Sequence, residues 1–108
     1  MVFGIRGGIK MKIKAQGAVL KEVILDNPIF KIVDFLIQGK EYRYTLLEIA
    51  EGTELDKVTI WRKMKLLIDE KLVINAGRVG NRDRFQINMN NPKTKIMEKM
   101  SKLIEELK

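Results

Sequence analysis

Apolar residues recur at helical spacing along most of the chain. Ile29, Ile32, Val33, Leu36 and Ile37 fall on one side of a helix running to about Gln38. Asn27 followed by Pro28 is a strong start for it, and Gly39 is expected to end it. A shorter helix follows Thr45, with Leu46, Ile49 and Ala50 turned inward. Thr45 and Glu48 have the spacing of a capping box, and Gly52 reads as the stop. Thr53, Glu54 and Leu55 form the expected turn. Asp56 is a second N-cap, and its helix is predicted from about Lys57 to about Glu70. At about 100° per residue, Ile60, Met64, Leu67 and Ile68 share one side, with Trp61 at its edge. Thr59 and Arg62 lie on the other side, flanked by Val58, Lys63 and Lys65. One face can bury while the other presents hydroxyl, guanidinium and ammonium groups.

Further on, the period changes. Two runs on either side of Gly80-Asn81 read as a hairpin. With those two residues as the loop, 79 faces 82, 78 faces 83, 76 faces 85 and 74 faces 87. That register places Ile74, Ala76, Phe85 and Ile87 on the core side, with Arg78 and Asp83 as a cross-strand ion pair. Arg78, Arg82 and Arg84 surround the tip. Asn91-Pro92 opens a last helix, whose Ile96, Met100, Leu103 and Leu107 are spaced four, three and four, with Met97 and Ile104 widening the stripe. This spacing suits a helix–helix seam between two copies or packing on the parent domain. At the other end, residues 1–17 hold Arg6, Lys10, Lys12 and Lys14 and no acid. Two interpretations stand for them, a basic arm along DNA and a terminus or strand; Met11 is an alternative start. Residues 18–25 are apolar and fit strand and helix equally.

A short helix, a turn and a longer two-faced helix make the helix-turn-helix plan. Three stretches, residues 26–38, 46–73 and 78–92, together resemble the small winged helix-turn-helix transcription regulators of the MarR/ArsR-like superfamily, especially the compact archaeal ones. The resemblance covers about Val19 to Lys108. It implies a mainly α fold with a small β-hairpin: a three-helix core, a wing hairpin and a C-terminal helix. The corresponding division is a basic arm or strand at 1–17, a winged helix-turn-helix domain at 18–91, and a helix at 92–108 suited to dimerisation. Two turn positions that often hold Gly in such proteins hold Glu54 and Lys71 here. A left-handed conformation at a residue other than Gly typically costs roughly 1 kcal/mol.

Composition narrows the chemistry. The 108 residues suit one domain and carry a net charge of +7, from 21 basic and 14 acidic side chains. With a pI near 9.7, the balance favours a nucleic acid partner. No Cys and no His are present, so disulfides, thiolate or imidazole metal sites, and Ser-His or Cys-His catalysis are excluded. No acid–base constellation stands out among the carboxylates; no enzyme, cofactor or metal is expected. No apolar run is long enough to span a bilayer, and a cytoplasmic location is expected.

The expected function is sequence-specific binding of double-stranded DNA by a transcription regulator, a repressor or local autoregulator working as a homodimer. The recognition helix, about 56–70, would enter the major groove, and the wing, 72–88, would meet backbone or minor groove. Arg62 is the first candidate for reading a base, because Arg pairs bidentately with guanine. Val58 and Thr59 suit a thymine methyl or a phosphate. Lys57 can reach phosphate along its stem. Lys63 and Lys65 suit phosphate or solvent. Arg43 and Thr45 stand at a helix N-terminus that attracts anions, and Arg78, Arg82 and Arg84 arm the wing. Trp61 is expected to pack at the core edge, while Tyr42 and Tyr44 suit contact and packing equally. Nothing in the sequence identifies a small-molecule effector. The alternative function is a winged-helix adaptor or architectural protein that binds a protein partner, or DNA without sequence preference.

Overall fold

Among the described residues the first helix, α1 (Pro28–Gln38), starts where Asn27 and Pro28 place it. The computed structural model describes residues 26–107; the expectations for 1–17 and 18–25 lie outside these. Asn27 Oδ1 accepts hydrogen bonds from the Ile29 and Phe30 amides at 2.9 and 3.2 Å. Gly39 caps the other end. The stripe Ile32, Val33, Leu36 and Ile37 is buried, and so is Phe30, which the sequence stripe left out.

Helix α2 (Leu46–Thr53) carries both halves of the capping box. The Glu48 carboxylate accepts from the Thr45 amide at 2.8 Å, and Thr45 Oγ1 accepts from the Glu48 amide at 3.2 Å. Gly52 is not its stop. It lies within the helix, where a Cβ would stand 2.1 Å from the Phe35 ring. Glycine is used here so that α2 can approach α1. The stop is Glu54, left-handed at φ 61°.

Helix α3 (Lys57–Asp69) has Asp56 as its N-cap, and Ile60, Met64 and Leu67 on its buried face. It ends in a left-handed turn at Lys71, φ 62°. The Leu72 amide reaches back to the Leu67 carbonyl at 2.9 Å, and the Lys71 amide to Ile68 at 3.0 Å, which is the Schellman pattern. Both turn positions that lack the usual glycine are therefore left-handed, and the buried Leu72 side chain helps to hold the second.

Strands β1 (Val73–Val79) and β2 (Arg82–Ile87) form the hairpin. At the tip the register is as expected, with Val79 opposite Arg82 and Arg78 opposite Asp83. Between Asn75 and Arg78 it slips by one residue, giving Asn75↔Phe85, Ile74↔Gln86 and Val73↔Ile87. Gly77, at φ 106°, supplies a backbone shape that side-chain-bearing residues seldom adopt. Its amide donates to Asn75 Oδ1 at 2.9 Å. The expected core side of β1 is thereby corrected: Val73 is buried with Phe85 and Ile87, Ile74 is exposed, and Ala76 is half-buried. The hairpin pattern also gave no sign of a third, one-residue strand. Tyr44 pairs with Phe85 in both directions, at 2.9 and 2.7 Å, on the free edge of β2.

Helix α4 (Pro92–Leu107) packs on α1. Thr94, Ser101 and Ile104 are buried, and Ser101 Oγ donates to Asp34 at 2.6 Å. The stripe divides: Ile104 turns to the domain, while Ile96 and Leu103 remain 58% and 60% exposed. The joint between α3 and α4 is built from asparagines. Asn91 Nδ2 donates to the Glu70 and Lys71 carbonyls at 3.1 and 3.0 Å, and Asn88 Nδ2 donates to Lys71 at 2.9 Å. Lys93 and Glu70 add an ion pair at 2.7 Å. Helices α1 to α3 around one core, a hairpin and a terminal helix make the winged helix-turn-helix arrangement.

Gly52→Ala should destabilise the fold by about 1–3 kcal/mol, the usual range for overpacking. Thermal unfolding of the variant beside wild type measures it; an unchanged melt would mean that Phe35 moves aside freely.

Candidate nucleic-acid interface

The exposed face of α3 and the hairpin stand side by side. Val58 is 56% exposed, and Lys57, Arg62 and Lys65 are exposed with it. Lys63 is half-buried. Thr59 is engaged within the cap of its own helix. Its hydroxyl donates to Asp56 Oδ1 at 2.5 Å and its amide to Oδ2 at 3.1 Å. These bonds, the hydroxyl's first and the amide's next, hold the Asp56 carboxyl below its ordinary value. Glu70 is likewise held low, by the hydrogen bond and charge of Lys93.

Between the first turn of α2, the start of α3 and the hairpin tip lies a cleft of about 410 Å³. Its lining includes Thr45, Lys57, Asn81, Arg82, Asp83 and Phe85. The fold thus brings together Lys57 and Arg82, two expected DNA contacts far apart in sequence, both exposed. Thr45 lies in the same wall, but it is buried and its hydroxyl is engaged in the capping box. Arg43 is exposed two residues before that cap. Arg78 pairs with Asp83 at 3.1 Å, both well exposed, a contact worth well under about 1 kcal/mol. Arg84 is half-buried, and its Nε has no hydrogen-bond partner among the described residues.

Two residues depart from expectation. Trp61 is not packed at the core edge; it is 52% exposed, and Lys65 Nζ sits 3.9 Å from its ring centroid. At an angle bordering the apolar face, the wheel alone did not decide its direction. Asn81 joins the cleft without having been a candidate, although its place in the hairpin loop was legible. The tyrosines divide: Tyr44 packs on Phe35, 4.8 Å between centroids, and Tyr42 is exposed.

Among the described residues no group of acidic side chains could hold a metal ion, and no helix is long and apolar enough to cross a membrane.

The sequence matches no protein-family model and no curated relative. The fold has clear counterparts among solved structures. One is MepR, a transcription regulator of the Staphylococcus aureus multidrug efflux pump MepA, at TM-score 0.62 and 17% identity, over 93% of this chain and 74% of that one. A point mutant of MepR from S. aureus gives TM-score 0.62 and 16% identity over the same shares. At these identities the likeness establishes the winged helix-turn-helix fold.

The Asp56 cap should give stability a pH dependence of defined sign. Its folded-state value lies below the ordinary 3.8, so its contribution is complete above that value and is lost as pH falls through the lower one. Melting temperatures of wild type and Asp56→Ala should differ most near neutral pH and converge in acid. A gap that persists unchanged in strong acid would separate the cap from the carboxylate charge.

Proposed function

We propose that the protein binds double-stranded DNA sequence-specifically, as a transcription regulator. The observation that supports this best is the pairing of a two-faced α3 with a cleft at the wing that Lys57 and Arg82 line. Arg62 and Val58 occupy the outward side of a helix of the width a major groove admits. Lys57 and Arg82 flank the cleft beside it and suit the phosphates of the same duplex. Attraction to the backbone supplies affinity that falls with salt, and Arg62 supplies discrimination through a bidentate contact to guanine. Arg43 extends the basic surface at the start of α2. Repression by occupying a site near a promoter is the simplest output of such a domain.

The active species is a homodimer joined through α4, whose exposed Ile96 and Leu103 need a cover. A two-fold pair of domains would place two α3 helices about one DNA turn apart and require an inverted-repeat site.

Selection of bound fragments from a random duplex pool should recover such a repeat. Arg62→Ala should relax one position per half-site, at a cost of about 1–3 kcal/mol. Binding without any motif, fading as salt rises, would favour an architectural role instead.

Ile96→Glu combined with Leu103→Glu should give a folded monomer by sedimentation, with weakened binding to the inverted repeat. A variant that stays dimeric would remove α4 from the interface.

A further inference from the structure

We infer that Trp61 and Lys65 act together as a grip on the DNA backbone, holding the sugar–phosphate strand that runs between the groove entered by α3 and the groove met by the wing. This rests on the DNA-binding function proposed above and adds a second kind of contact to it.

Three observations lead there. A large aromatic side chain is half exposed on α3, whose exposed face also carries Lys57, Val58, Arg62, Lys65, Leu66 and Asp69. Its ring already carries an ammonium group, Lys65 Nζ at 3.9 Å from the centroid. The pair also borders a narrow cleft of about 180 Å³ between α3 and the hairpin, with Asn75 and Asp83 on the opposite wall. Trp61 therefore stands on the flank of α3 that faces the wing, about 100° around the helix from Arg62.

That position selects the kind of contact. Residues at the outward pole of a groove-bound helix meet base edges, whereas residues on its flank meet the strand at the groove wall. An indole offers an apolar face to deoxyribose and a single N–H donor to a phosphate oxygen. Lys65 brings the charge. Because the ring holds its ammonium in place, less of its rotational freedom remains to be lost on binding. Asp83, the one acid on the cleft wall, is paired with Arg78 and so opposes an approaching phosphate less.

The chain has a single Trp, so its fluorescence reports on this position alone. Wild type is titrated with the duplex recovered by selection and with a scrambled duplex of equal length, binding being followed independently by anisotropy of labelled DNA. Emission should change on saturation with either duplex. Trp61→Ala should weaken both about tenfold and leave their affinity ratio unchanged, as a backbone contact does. Lys65→Met should lower the slope of log affinity against log salt by about one. Unchanged emission on DNA that is demonstrably bound overturns the grip, and so does a Trp61→Ala variant that alters the ratio, since that would make Trp61 a base reader. A wild-type ratio of one, with emission still responding, sinks the sequence-specific regulator and keeps the grip. Absence of duplex binding sinks both.

Discussion

Phe85 ties the wing to the helices. Its ring is buried against the helical core, and its backbone pairs with Tyr44 on one side while its strand pairs with β1 on the other. A two-stranded hairpin alone is marginal in water, so its place relative to α3 depends on this anchor. The same ring floors both clefts beside α3. Together with buried Val73 and Ile87, this side chain and its two backbone hydrogen bonds help to set the distance from Lys57 and Trp61 to Arg82 and Asn75. The proposed binding of a duplex would require such a distance to be held, because phosphates are spaced regularly and a displaced wing would miss a strand.

The helices were largely legible because their signals are local. Asn27-Pro28, Thr45 with Glu48, and Asp56 each mark a start by chemistry within a few residues, and all three act as N-caps in the structure. The errors arose where distant residues decide. Gly52 has the composition of a helix stop, but its meaning comes from Phe35 on another helix. The hairpin register is correct at the tip, where the turn sets it, and wrong beyond Gly77, where burial of Val73 against the core outweighs simple alternation. The single bridge at Tyr44 has no period to read. Left-handed Glu54 and Lys71 could be anticipated only through likeness to related folds, since neither residue type favours that conformation.

The exposure of the candidate site residues was legible to a similar extent. The outward directions of Val58 and Arg62 follow from the wheel, and the arginines of the wing from the turn. Sequence says less about which polar groups are already occupied. The sequence suits Thr45 and Thr59 to external contacts, and in the structure both hydroxyls serve caps. Trp61 shows the opposite case: a residue type at home in cores is directed outward, because the boundary of the apolar face passes through its position and Lys65 lies one turn away to receive it. The charge of the basic surface is also less than a count of arginines implies, since Arg78 is partly neutralised by Asp83.

The asparagine joint between α3 and α4 makes a crank of the two helices. Asn88 and Asn91 bind the last carbonyls of one helix while Asn91 also caps the first turn of the other through the Lys93 amide. Three hydrogen bonds from Asn88 and Asn91 to the end of α3, beside the Lys93–Glu70 ion pair, link the two helices, so a rotation of α4 would pass in part to α3. In a two-fold assembly hinged at α4, a change of a few degrees between the terminal helices would become a change of spacing between the two α3 helices. The pitch of B-form DNA would then serve as the gauge against which that angle is judged.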